Sequence, residues 1–172
     1  SETGKQVALK VVRRHRLIEL FLVQTLDLTW DQVHEEAENM EHAVSDFLVD
    51  RIDDFLGRPD ADPHGDPIPA RDGALRGEGQ QTTPLVENAA GSQVRFARVL
   101  NQDSDFLRHL SDSGLEVGSV ATILEVDSTA GVVTLQLPTR ETTLEHSVAE
   151  HLLVETMSQA VTTDAPSDGT DR

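Results

Sequence analysis

The chain has no cysteine and no tyrosine, and only one tryptophan and five phenylalanines among its 172 residues. Without cysteine there are no disulfides, no thiolate ligands for zinc or iron–sulfur clusters and no thiol nucleophile. Any metal must be held by imidazole, carboxylate or carbonyl groups. With so few aromatics the core must be aliphatic, and the aromatic grooves that recognise Pro-rich peptides are hard to build. Positive charge is also scarce: 14 Lys and Arg against 31 Asp and Glu leave a formal charge of −17. That is the reverse of the basic footprint that grips a nucleic-acid backbone. No apolar run nears the roughly 18 residues of a membrane helix, and no charged-then-apolar leader opens the sequence. The expectation is a soluble, cytoplasmic protein with no membrane partner. The chain starts at Ser1 and enters a helical pattern almost at once, which reads as a fragment lacking an N-terminal part.

Composition divides the rest. Residues 5–57 contain no proline and repeat their apolar positions at helical spacing, whereas five of the seven prolines and five of the eleven glycines lie between Gly57 and Pro84. The division predicts a helical unit over 1–57, a linker over 58–84, a unit of short strands over 85–155 and a disordered Ser/Thr/Asp-rich tail over 156–172. The first helix carries Val7, Val11, Ile18 and Leu22 on one stripe with His15 inside it. A second opens at Thr29 and Gln32, a capping-box pair, and buries Val33, Ala37, Met40 and Val44. A third follows Ser45 as N-cap, with Phe47, Leu48, Ile52, Phe55 and Leu56 apolar, and stops at Gly57 and Pro59. Beyond residue 85, strands over Gln93–Val99, Val120–Val126 and Val132–Leu137 surround a short helix with Phe106, Leu107 and Leu110. A final helix or turn over Ser147–Leu153 completes a small antiparallel barrel. The fold class is α+β.

Chemistry concentrates on the first two helices. His34, Glu38, Glu41 and His42 stand at i, i+4, i+7 and i+8 on one helical face, and His15 and Glu19 repeat the i, i+4 spacing on the preceding helix. Two antiparallel helices would bring both sets together. Nitrogen and oxygen ligands without sulfur suit Mn(II), Fe(II), Co(II) or Zn(II), with carboxylate-rich sets tilting toward the harder ions. The polar border of an amphipathic helix produces the same spacing and stays open as a reading. His34-Glu35-Glu36-Ala37-Glu38 lacks the second His of a zinc-protease helix, and no Glu-x-x-His pair of a di-iron bundle occurs. His146 and His151, five apart, do not share a helix face. No phosphate-binding Gly-rich loop or Ser nucleophile arrangement is present, and no catalytic residue is assigned.

Val11-Val-Arg-Arg-His-Arg-Leu17, Val33-His-Glu-Glu-Ala-Glu-Asn-Met-Glu-His42 and Ser45-Asp46 resemble the dimerisation segment of the DtxR/MntR metal-dependent regulators. Asp62-Pro-His-Gly-Asp-Pro-Ile-Pro69 is similar to the stretch that follows it in that family, and residues 85–155 are similar to its FeoA/SH3-like barrel. The resemblance implies a helical dimerisation domain followed by a small SH3-like β-barrel, with residues 1–6 the remnant of a winged helix-turn-helix. It implies His15, Glu19 and His34 as ligands of an ancillary site and Glu38, Glu41 and His42 as ligands of a regulatory site, with Gln102 and Asp105 near the position where family barrels add ligands. Glu at position 38 favours Mn(II), with Fe(II) second and Zn(II), Co(II) or Cd(II) able to bind in vitro. The third helix, through Phe47, Leu48, Ile52 and Phe55, is expected at the interface of a homodimer, or packed within the subunit. The implied protein is a metal-activated transcriptional regulator of metal homeostasis, not an enzyme, which binds operator DNA only when full-length. A metalloenzyme with the same ligands and a metal-independent interaction module are the alternatives.

Overall fold

The computed structural model describes residues 1–77 and 79–158. Helix α1 (Glu2–Leu26) is capped by the Ser1 hydroxyl, which accepts from the Gly4 amide at 3.2 Å, and ends where Asp27 turns into the left-handed region at φ 55°. Helix α2 (Val33–Glu41) follows a short turn in which the Gln32 side chain accepts from the Thr29 amide at 3.1 Å. Helix α3 (Asp46–Phe55) starts at Ser45, whose hydroxyl accepts from the Leu48 amide, and closes at Gly57 with φ 78°. These three helices bury one aliphatic cluster built from Leu17, Ile18 and Leu22 of α1, Val33 and Ala37 of α2, and Val49 and Ile52 of α3.

The second unit is an antiparallel sheet of SH3-like type. Its strands are β1 (Thr83–Pro84), β2 (Gln93–Val99), β3 (Val120–Asp127), β4 (Val132–Gln136), β5 (Glu141–Glu145) and β6 (Leu152–Ser158). They are ordered β1-β6-β2-β3-β4-β5, and every pairing is antiparallel. Helix α4 (Ser104–Asp112) and the single turn α5 (His146–Ala149) cover the sheet, and Leu107, Leu110 and Ala149 join its core beside Val94, Phe96, Ile123, Leu135, Leu144 and Val154. Trp30, from the turn between α1 and α2, is buried in this second core rather than the first. None of the helices is long and apolar enough to cross a membrane, among the described residues.

Four expectations change. The Pro/Gly-rich stretch over 58–84 is packed rather than a spacer: Ile68 and His64 are fully buried, because its own turns satisfy the backbone and point those side chains inward. Strand β5 is an addition to the expected strands. Glu141-Thr-Thr-Leu-Glu145 holds one apolar residue and so lacks an alternating pattern, yet Leu144 alone anchors it in the core. Thr156, Met157 and Ser158, expected in the tail, instead continue β6 against β2, and the rest of the expected tail, residues 159–172, lies outside the described part. In α1 only half of the expected apolar stripe is buried: Ile18 and Leu22 join the core, whereas Val7 and Val11 are exposed.

An ion-pair hub ties the packed stretch to the helices. Asp53 of α3, almost fully buried, accepts from Arg13 of α1 at 2.7 Å and from both terminal nitrogens of Arg76 at 2.6 and 2.7 Å. Burial would push this carboxyl up, but the Arg76 and Arg13 guanidinium groups hold it below the usual carboxylate range. A depressed folded-state value means that its contribution is complete above the unfolded carboxylate pKa and disappears as the pH falls through the folded value. Asp53→Asn should therefore cost about 2 kcal/mol at neutral pH, with the difference from the unmutated chain shrinking below about pH 4. Denaturant unfolding at pH 7 and pH 3.5 checks both halves; an equal penalty at the two pH values contradicts the assignment.

Candidate metal centre

The fourth and fifth turns of α1 face α2, and the middle of this contact is polar. His15 Nε2 lies 3.0 Å from Glu19 Oε1 and 3.2 Å from His34 Nδ1, and His34 Nδ1 is 3.4 Å from the same glutamate oxygen. Helical spacing places His15 directly below Glu19, and the short turn brings His34 of α2 opposite them. One ligand atom from each of the three falls within 4.8 Å of the others. The three expected side chains of the ancillary set are thus brought together.

A second set lies beneath the first and shares Glu19 with it. Glu19, Asp62 and His64 also converge within 4.8 Å, and all three are buried. His64 Nδ1 is 3.6 Å from Glu19 Oε2 and 3.9 Å from Asp62 Oδ1, and finds no hydrogen-bond partner among the described residues. Its other nitrogen is 2.7 Å from the Trp30 carbonyl oxygen. A carbonyl can only accept, so Nε2 carries the hydrogen and donates. Asp62 Oδ1 accepts from the amides of His64 at 2.8 Å and Asp66 at 3.0 Å, which fixes the turn. Sequence reasoning missed Asp62 and His64 as ligands, although the two-residue spacing between Pro63 and Gly65 is a turn signal that folds such a pair back on itself.

The charges in this cleft balance through protons. The hydrogen bond to Glu19, helped by Glu41, raises His15 to about 9 against the opposing effect of burial. Burial would lower His64, yet Asp62 and Glu19 together push it up to about 10. Burial raises Asp62 above the ordinary carboxylate value. Burial would also raise Glu19, but the hydrogen bond from His15 and the nearby His64 imidazole hold it well below that range. A divalent ion at either set would compete with protons for these imidazole nitrogens, so its binding should weaken as the pH falls.

The remaining expected ligands are spread out. Glu41 Oε2 lies 2.8 Å from His15 Nδ1, which turns its carboxylate into the α1–α2 contact. Glu38 reaches His34 Nε2 at 3.3 Å from an exposed position, and the His42 side chain is 85% exposed, 3.6 Å from Glu41 Oε1. Glu38, Glu41 and His42 do not close around one point. Gln102 lines the same cleft of about 300 Å³ as His15, Glu19 and His34, with its amide donating to Asp66 Oδ2 at 2.7 Å. Asp105 is placed differently from the expectation: it stands in the first turn of α4 with its side chain 94% exposed, paired with Arg108 three residues on. Of the third-helix residues, Ile52 belongs to the chain's own core because it faces α1. Phe47 and Phe55 are 75% and 71% exposed, and Leu48 is exposed as well.

Comparison with known proteins gives a consistent picture. Residues 1–70 match the model for the iron-dependent repressor metal-binding and dimerisation domain, and residues 83–156 match the FeoA domain. The chain is 31% identical over 169 residues to the iron-dependent repressor IdeR of Mycobacterium tuberculosis, covering 90% of this chain and 71% of the relative. Among solved structures, a manganese-dependent transcriptional repressor in complex with manganese superposes with a TM-score of 0.83 at 37% identity, covering 91% of this chain and 74% of that one. The repressor ScaR with bound Cd2+ superposes with a TM-score of 0.74, also at 37% identity, over 90% of this chain and 72% of that one.

Proposed function

The chain belongs to the family of iron- and manganese-dependent transcriptional repressors, and from that premise we propose that it senses Mn(II) within a homodimeric regulator of metal homeostasis. One observation carries the reading: two His/carboxylate sets share Glu19 at the place where α1, α2 and the Asp62–Asp66 turn meet. The donors are nitrogen and oxygen only, with a carboxylate at the shared position, which suits a hard divalent ion. His15, Glu19 and His34 would hold one ion and Glu19, Asp62 and His64 a deeper one, with Fe(II) the competitor and Zn(II), Co(II) or Cd(II) binding in vitro. A divalent ion held there would supply fixed positive charge between carboxylates that come from α1 and the Asp62–Asp66 turn.

Glu38 and His42 at the exposed rim, with Glu41 turned inward toward His15, are the candidate ligands of a separate regulatory site. Gln102 is within reach of the cleft if it leaves Asp66, whereas Asp105 would need α4 to move. The exposed Phe47, Leu48 and Phe55 form the apolar face that a second copy covers, continuous with Phe21 through its edge-to-face contact with Phe55. Operator DNA is a partner of the full-length regulator, in the cytoplasm; a formal charge of −17 makes residues 1–172 by themselves poorly suited to a phosphate backbone. The relatives are repressors, not enzymes.

Calorimetric titration with Mn(II) tests this directly. The unmutated chain should show saturable binding, His15→Ala should weaken it about tenfold, and Glu38→Ala should change it by less than about threefold because Glu38 stands at the exposed rim. Absence of binding heat and of any metal retained after desalting would overturn the sensor reading.

A further inference from the structure

His64 is held from the barrel side, although the cleft it enters belongs to the helices. Its Nε2–H donates to the Trp30 carbonyl at 2.7 Å, and its ring lies parallel to the Trp30 indole, with centroids 6.2 Å apart and planes 12° apart. Trp30 belongs to the helical part of the sequence, yet its indole sits in the barrel core and its Nε1–H donates to Ser111 Oγ of α4 at 2.9 Å. The main chain is held too. Val99 of β2 donates its amide to the His64 carbonyl at 2.9 Å, and Gly65 at φ 84° presses on the same strand.

We infer that Trp30 is a positioning residue for the buried cation site: anchored in the barrel, it fixes the carbonyl that engages His64 Nε2 and so presents Nδ1, unpartnered, to Glu19 and Asp62. A histidine with one nitrogen committed in this way offers its other lone pair in a fixed direction, and such supporting contacts commonly change metal affinity by about 10- to 100-fold. The barrel therefore sets the affinity of a site whose glutamate comes from α1. By linkage, an ion in that site strengthens the docking of barrel on helices by the same factor. The Thr29–Gln32 turn is also tied to α4 at Asp31, whose carbonyl accepts from Ser104 Oγ at 3.2 Å and whose carboxylate lies 3.5 Å from Arg108; the indole is the buried part of this attachment and the one next to the carbonyl that His64 engages.

This inference rests on the metal-sensing reading, and the test separates the two. The probe is Cd(II), which is diamagnetic, added to the 15N-labelled 172-residue chain. In the loaded unmutated chain, His64 should show cadmium coupling on Nδ1 and a slowly exchanging Nε2–H. Ser111→Ala and Trp30→Phe, which both remove the indole anchor but keep an aromatic ring, should weaken Cd(II) binding about threefold with the His64 pattern retained. Trp30→Ala should weaken it about tenfold or more and expose Nε2–H to exchange. A folded Trp30→Ala chain with unmutated affinity and a protected Nε2–H would overturn the inference. If that variant does not fold, unchanged affinity in both Ser111→Ala and Trp30→Phe overturns it instead. Failure of the unmutated chain to take up Cd(II) sinks the sensor reading along with it. Uptake that Glu19→Gln removes but the Trp30 and Ser111 variants leave untouched sinks this inference alone.

Discussion

Glu19→Gln is expected to weaken Mn(II) binding by more than about a hundredfold, the largest loss from any single side chain in the cleft. His15, His34, Asp62 and His64 each serve one set, whereas Glu19 offers Oε1 to the first and Oε2 to the second. Glutamine keeps the volume and one carbonyl acceptor but removes the charge, leaving His15 and His64 with no shared anion between them. Calorimetry on the variant measures the loss, and circular dichroism shows that α1 persists. If Glu19→Gln binds Mn(II) within about threefold of the unmutated chain, the ion does not sit between α1 and the Asp62–Asp66 turn.

Gly65→Ala is the second large effect and acts on the junction between the two units. A β-carbon built there lies 2.0 Å from the Ala97 carbonyl oxygen and 2.7 Å from the Arg98 α-carbon, both main-chain atoms that cannot swing aside. The backbone also sits at φ 84°, where side chains other than hydrogen are strained. Relief requires the turn to lift from β2, which breaks the Val99 to His64 hydrogen bond and the contacts of Arg98 and Gln102 with Asp66. The expected cost is about 4 kcal/mol, which for a chain of this size lowers the melting temperature by about 8–16 °C. Hydrogen exchange should locate the loosening at residues 62–68 and 97–102. A melting temperature within about two degrees of the unmutated chain would mean that the turn and the strand are not held together as described.

Periodicity makes much of the helical unit legible, because Ile18, Leu22, Val33, Ala37 and Ile52 recur where a 3.6-residue repeat puts them, and because Ser45 announces α3. The same repeat puts His15, Glu19 and His34 on the facing sides of two antiparallel helices. It cannot reveal Asp62 and His64, since these meet Glu19 through a turn far along the chain whose path depends on close packing against β2. Prolines and glycines in that stretch read as flexibility. They are there because tight turns need fixed and positive φ angles, and the result is a rigid wedge. Strand β5 is hidden for a different reason: a single buried leucine is enough when the neighbouring strand supplies the register. Trp30 falls next to the α2 start and reads as part of that helix's opening; only long-range packing assigns it to the other core. Asp105 is the reverse case, because Arg108, three residues on, satisfies it locally.

Helix α1 has one further consequence. Its residues up to Val12 include no fully buried side chain, whereas from Arg13 onward it is gripped by α2, α3 and the packed turn. Mechanically it is a beam clamped at one end. The more lightly held arm, from Glu2 to Arg13 with Leu9 beside Gly73, is ~16 Å long at about 1.5 Å per residue. Because a helix is stiff over such a length, a tilt of about 5° at the clamp carries the far end about 1.5 Å sideways. Sub-ångström adjustments among His15, Glu19 and His34 are thereby magnified at the start of α1, with no hinge in between.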